Sequence, residues 1–287
     1  MISLSDTLTA VLYDRNPRAG RLTAEALRQA DYDRMLEMFG ERFGDASDFV
    51  FTLVGNIELD SVKPYIEQYL ATLPASGRKE KADDRNAVRF HRGKATNRFQ
   101  RRMETPKASV VNIYPGRMDY NLDNLVGGAM FEQILDIVYM EKVREDEGGT
   151  YGVNVELNIS PFPEGETDLE IYFNTDPAKF EKLNRIVQQE LVRIADEGPR
   201  EADFNKTKEN MLKKRAESLQ ENGYWLGVLD EYYSRGFDRH TRYDEVLQAV
   251  TPATIQAFAK KLLSQGNHIE IVMTPEEAAA APSPSRQ

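Results

Sequence analysis

From Tyr151 to Ile159 apolar and polar residues alternate without a break. Tyr151, Val153, Val155, Leu157 and Ile159 share one side, and Gly152, Asn154, Glu156 and Asn158 the other. A period of two describes a strand with one buried and one wet face, the signature of an antiparallel sheet rather than a parallel sheet covered on both sides. Leu169, Ile171 and Phe173 keep the same period and predict its hairpin partner. Upstream, Phe131, Ile134, Leu135 and Val138 fall on one stripe of a helix predicted over 121–145. Gly148-Gly149 end that helix in the usual way. A long helix, a glycine turn and a half-buried hairpin define an α+β fold: an antiparallel sheet with helices packed on one face.

Elsewhere the pattern is of blocks. Met35, Met38, Phe39 and Phe43 predict a helix over 22–43. Phe49-Val50-Phe51-Thr52-Leu53-Val54, ended by Gly55-Asn56, reads as a buried strand. A helix over 59–73 stops at Pro74, and the polar stretch 74–86 reads as a linker. Strands are expected at 88–91, 98–104 and 109–114. Asp176-Pro177 opens a helix to Glu197, with Asp176 as N-cap. Further helices are expected over 200–222, 224–235 and 252–263, and a strand over 268–273. The tail 276–287, with four alanines and alternating proline and serine, has the composition of a disordered segment.

Composition removes several classes of function. The formal net charge is −10 over 287 residues, whereas a nucleic-acid binder needs a basic face to meet phosphates. No cysteine is present, so disulfides, thiolate catalysis and cysteine-ligated zinc are excluded. No apolar run approaches the roughly 20 residues that span a bilayer, so no membrane span is expected. Residues 1–14 lack the basic start and apolar run of a secretory signal. The compartment stays open, and the periplasm or cell envelope of a bacterial parent is consistent with these features.

The chain also repeats itself. A shift of 220 positions without a gap lays Met35 on Ile255, Met38 on Phe258 and Phe43 on Leu263. It then lays Phe49 on Ile269, Phe51 on Ile271 and Leu53 on Met273. Any two helix–strand units share apolar periodicity. A duplicated domain would add the shared connection length, and would make 1–78 the end of one copy, 79–87 a linker and 88–275 a whole copy.

Three stretches resemble the pitrilysin/insulinase family of zinc metallopeptidases. They are 48–56 (Asp-Phe-Val-Phe-Thr-Leu-Val-Gly-Asn), 143–153 (Val-Arg-Glu-Asp-Glu-Gly-Gly-Thr-Tyr-Gly-Val) and 221–226 (Glu-Asn-Gly-Tyr-Trp-Leu). The second is the most specific, because Arg144 near a helix end and Tyr151 seven positions on are similar to the family's arginine–tyrosine pair. The resemblance implies a metalloenzyme-like (LuxS/processing-peptidase-like) domain, within an architecture of four α+β domains in two halves that close around a peptide. It implies that zinc belongs to an N-terminal half or a partner subunit carrying H-x-x-E-H. Arg144 and Tyr151 would then hold the substrate, a peptide or small unfolded protein. The chain itself departs from the family's zinc motif. Its histidines are His91, His240 and His268, and none has a second histidine four positions away. No catalytic residue and no metal ligand is therefore expected in this chain, which alone should neither bind catalytic zinc nor hydrolyse peptides. A non-catalytic peptide-binding or scaffolding subunit of the same family is the alternative.

Each residue also has a plain structural reading. Arg144 in a last helical turn suits the helix dipole, and Tyr151 is in phase with the core face of its strand. Gly148, Gly149 and Gly152 lie between helix and strand, the reverse of a phosphate loop's order. Lys206-Thr207-Lys208 and Lys213-Lys214-Arg215 read as a solvated helix face, Tyr224 and Trp225 as packing, and the three histidines as incidental. Glu141, Glu145 and Glu147 lack a histidine partner for a metal.

Overall fold

The computed structural model describes residues 4–81, 87–145, 147–148, 150 and 152–276. Contacts divide it into two units: Met1–Gly20 with Val88–Glu209 and Leu247–Gln287, and Arg21–Ala87 with Asn210–Val246. Residues 4–20 cluster with the later sheet.

The first unit is built on five strands: β1 (Lys94–Arg101), β2 (Ala108–Arg117), β3 (Val153–Ser160), β4 (Glu166–Thr175) and β5 (His268–Pro275). Their order is β1-β5-β2-β4-β3, which leaves β3 and β1 at the edges. The predicted hairpin forms in register, with Val153 opposite Phe173, Val155 opposite Ile171 and Leu157 opposite Leu169. The sheet is antiparallel as expected except at one edge, where β1 runs parallel to β5. No strand forms over 88–91; the first strand begins later, at Lys94. Its alternating exposure is that of an edge strand with one wet face.

Leu169, Ile171 and Phe173 point to one face of the sheet, under α5 (Leu122–Tyr139), α6 (Phe180–Glu197) and α10 (Pro252–Leu263). Asn121 caps α5, accepting a hydrogen bond from the Asn124 N–H at 2.9 Å. Helix α5 crosses β3 at Gly128, where a Cβ would stand 2.8 Å from Leu157 Cδ2 and would push that side chain aside. Phe131 and Phe258 then meet at 5.5 Å between α5 and α10. Under α6 the core turns polar: Asn112 Nδ2 donates to Asn184 Oδ1 (2.8 Å), Asn184 Nδ2 to Glu270 Oε2 (2.7 Å), and Arg98 Nε to Glu270 Oε1 (3.0 Å). The helix expected to start at Pro177 starts at Phe180. Asp176 instead ties the preceding turn, accepting from the Ala178 N–H at 2.7 Å.

The opposite face carries Val111, Ile113, Ile269 and Ile271. Helix α1 (Leu4–Leu12) covers them with Leu4, Leu8 and Leu12, a stripe the sequence reading did not assign.

In the second unit the helix expected over 22–43 is broken at Gln29–Asp31 into α2 (Ala24–Arg28) and α3 (Tyr32–Phe43), and α4 spans Leu59–Tyr69. Helices α3 and α10 are related residue for residue by the 220-position shift. Even their N-caps correspond, Asp31 accepting from Arg34 N–H and Thr251 from Thr254 N–H. The strand expected over 49–54 does not form. Its counterpart β5 is hydrogen-bonded on both edges, to β1 and β2. A strand exists only through such pairing, and 49–54 has no neighbour to supply it among the described residues. Phe51 and Leu53 are consequently 48% and 51% exposed, where Ile271 is fully buried. Phe39, Phe43, Phe49 and Phe51 touch in series, with ring centroids 4.8, 6.3 and 6.1 Å apart.

This unit also contains α8 (Asn222–Arg235), the second half of α7 (Glu201–Ser218) and most of α9 (Tyr243–Ala249). Arg215, read from sequence as solvated, is buried. Its guanidinium lies between the rings of Tyr224 (5.0 Å) and Tyr243 (4.7 Å) and donates to Asp244 Oδ1 at 3.2 Å. It also contacts His240 Nδ1 at 3.1 Å, and the Tyr224 hydroxyl meets the same nitrogen at 2.8 Å. Lys208 likewise is engaged, its Nζ donating to the carbonyls of Gln248 (2.7 Å) and Val250 (2.8 Å) where α9 ends.

Candidate functional site

The sequence pointed to the end of the long helix, and there the backbone changes type. After Tyr139 the chain widens into a π-helical turn, Met140–Glu145. Such turns are rare and concentrate at functional sites, because the extra residue per turn re-aims the side chains that follow. Val143 is fully buried and anchors the turn, while Arg144 is turned out to solvent. Arg144 Nη1 lies 3.1 Å from Met140 Sδ, a weak acceptor. Gly148 takes the left-handed conformation (φ 57°), and its N–H donates to Arg144 O at 3.0 Å, so this glycine ends the helix as the sequence suggested. Tyr151 lies outside the described residues, as do Asp146 and Gly149.

The base of the turn is held by ions that sequence reasoning did not assign. Arg200 forks onto Glu141, with Nη1–Oε1 at 2.9 Å and Nη2–Oε2 at 2.6 Å, and its Nε donates to Asp203 at 2.6 Å. The Arg200 hydrogen bonds, helped by Lys142, hold the Glu141 carboxyl down to about 2. Both partners are about one-third exposed, so the pair fixes geometry more than it adds stability. Glu147 pairs with Lys182. Nothing in the local pattern around 141 marks a partner 59 positions away.

On the sheet face away from α5, α6 and α10, beside the α1-covered strands, Glu156, Asp168 and Glu170 stand in neighbouring pairs of β3 and β4. Burial pushes the Asp168 carboxyl up to about 6, the Asn158 hydrogen bond opposes this, and Glu170, Glu156 and Glu166 add to it. A carboxyl that is more basic folded than unfolded adds stability below its unfolded value, about 4. That contribution is lost as pH rises through about 6. Asp168→Asn is therefore expected to raise stability at pH 7.5 by on the order of 2 kcal/mol and to change nothing at pH 4. Urea midpoints at the two pH values measure it; equal shifts at both would mean that Asp168 is solvated.

The residues present do not fit zinc. His91 Nδ1 is paired with Asp14 (2.7 Å), His268 Nε2 meets Asn112 Oδ1 (2.9 Å), and His240 belongs to the Arg215 cluster. Among the described residues no three histidine or carboxylate side chains gather around a point where a metal could sit.

The chain belongs to the peptidase M16 family, as the family's description "Peptidase M16 inactive domain" matches residues 30–211. It is 28% identical over 229 residues to the "Zinc protease PQQL-like" of Arabidopsis thaliana, covering 73% of this chain and 23% of that one. In fold it is similar to the periplasmic protease PqqL from Escherichia coli, with TM-score 0.76 and 18% identity over 95% of this chain and 30% of that one. It is equally similar to a peptidase M16 inactive domain from Pseudomonas fluorescens, with TM-score 0.75 and 19% identity over 97% of this chain and 66% of that one. The chain spans about a quarter of the length of the curated relatives it matches. Among the described residues no helix is long and apolar enough to cross a membrane.

Proposed function

We propose that this chain is the C-terminal part of a zinc-dependent endopeptidase, contributing peptide binding and closure of the catalytic chamber. Residues 1–78 are then the end of one sequence repeat and 88–275 the next, with α1 of the first laid onto the sheet of the second. The zinc sits on an N-terminal half or partner subunit, and the parent acts on a peptide or small unfolded protein, in the periplasm or envelope if it is bacterial. The observation that carries the reading is Arg144. Its neighbours Tyr139 and Val143 are fully buried, yet the arginine projects into solvent from a π-helical turn close to the start of the edge strand β3. A guanidinium so placed can donate to peptide carbonyls, and a phenol hydroxyl from Tyr151 can donate to the oxygen that gains charge during hydrolysis.

The test combines this chain with the zinc-bearing half of its parent. Cleavage of an unfolded peptide is expected from the mixture and from neither part alone. A zinc-bearing half that cleaves with unchanged kcat/KM in the absence of this chain would overturn the assignment and leave a scaffold.

A further inference from the structure

The sheet face that α1 covers opens beside that helix into a cavity of about 440 Å³. Its walls are of two kinds. The rings of Tyr13 and Phe90 stack 5.5 Å apart on one side, and Phe162 projects from the β3–β4 hairpin, 54% exposed. Glu166 and Asp168 of β4 supply two carboxylates, with Ser160 near them.

The carboxylates are short of donors. Glu166 is 5% exposed, and its Oε1 is buried without a hydrogen bond. Arg92 Nη2 stands 3.6 Å from that oxygen, within ion-pair range but beyond hydrogen-bond reach. The other nearby arginines, Arg89 and Arg117, pair with Glu164 at the hairpin tip. Asp168 accepts from Asn158 Nδ2 at a long 3.3 Å. Two carboxylates held against aromatic walls with so few donors lower stability unless a ligand supplies the missing hydrogen bonds.

We propose that this cavity binds an organic cation, the ammonium or guanidinium group of a lysine or arginine side chain on a bound peptide. The rings of Tyr13, Phe90 and Phe162 lie against the cation's faces or methylenes, where the ring quadrupole attracts positive charge. Glu166 and Asp168 accept its N–H groups in charge-assisted hydrogen bonds. A hard metal ion suits the site less, since it needs six or more oxygen ligands and aromatic carbon forms much of this wall. The volume, in the range of small-ligand pockets, holds such a side chain together with its flanking backbone. The choice of a peptide as carrier rests on the proposed function. Binding is read on this chain alone, without zinc or cleavage, so the two readings fail separately.

Calorimetric titration with acetyl-Ala-Arg-Ala-amide, in about 0.15 M salt to screen the acidic surface, tests the site. The probe with citrulline in place of arginine keeps the shape but loses the charge and exchanges two N–H donors for a carbonyl acceptor. It is expected to bind at least about tenfold more weakly. Asp168→Asn, which leaves the fold at least as stable, and Phe162→Ala, at an exposed ring, are each expected to weaken the arginine probe by about fivefold or more. Glu209→Gln, an exposed carboxylate elsewhere on the unit, is expected to leave it within about twofold. Equal binding of the arginine and citrulline probes would overturn the proposal. So would indifference to Asp168→Asn, a loss of the same size from Glu209→Gln, which would mean diffuse attraction, or displacement of the probe by millimolar Mg²⁺ or Ca²⁺.

Discussion

Tyr151→Phe, in the enzyme reassembled with its zinc-bearing half, is expected to lower kcat by on the order of 10²-fold with little change in KM. The substitution removes one hydroxyl and nothing else, so folding should be nearly untouched. A donor that acts on charge present only in the transition state shows itself in kcat, and that is the role the proposed function gives this phenol. Arg144→Ala should lower kcat/KM as well, mainly by raising KM, because a guanidinium on peptide carbonyls already binds the ground state. Arg144 is exposed and weakly bonded within the fold, so its loss should not destabilise the chain. If both side chains act on one peptide group, the double variant will lose less than the product of the two single losses. Steady-state kinetics on the four proteins decide it; rates that ignore both substitutions would return Arg144 to a helix-end cation and Tyr151 to the core face of its strand.

The largest expected loss of stability lies at Arg215. Its side chain is 6% exposed, packed between two tyrosine rings, and bonded to Asp244 and His240. Truncation to alanine leaves the Tyr224 hydroxyl oxygen and Asp244 without the Arg215 donor and opens a cavity between rings. A loss on the order of 3 kcal/mol is expected. Arg215→Lys should recover less than half, because a point charge cannot stack between both rings and fork onto its partners together. Trp225, the chain's one tryptophan, lies 4.7 Å from the His240 ring and reports on this cluster by fluorescence. A denaturation midpoint that Arg215→Ala leaves in place would show the cluster to be ornamental to the fold.

These cases also show what the amino-acid order could and could not reveal. Where a pattern is local and repeats with a clear period, it was legible: the hairpin's pairing follows from alternation alone, and α10 occupies the residues its apolar stripe predicts. The α+β class followed from those elements. The parallel pairing of β1 with β5 was not legible, since it joins residues 174 positions apart through backbone bonds that leave no side-chain signature. Strand β1 itself is rich in charge and polar residues, as an edge strand tolerates, and so was placed in part too early and in part too late. Arg215 sits in a basic run that resembles any exposed helix face; only its partners at 224, 243 and 244 on other helices, and at 240 in the loop between them, make it interior. At the candidate site, the arginine and the glycine turn were legible as a motif. The π-helical turn and the Arg200 fork beneath it were not, because both arise from tertiary packing.

The unpaired segment 49–54 has a consequence for the chain's life in a cell. With Phe39, Phe43, Phe51 and Leu53 all about half exposed or more, it presents the kind of extended aromatic stretch that chaperones bind and that quality-control proteases use as an entry point. The same stretch, low in charge and unpaired, is also open to strand addition between molecules. Pairing of 49–54 with a neighbouring strand would bury these side chains and remove both hazards at once.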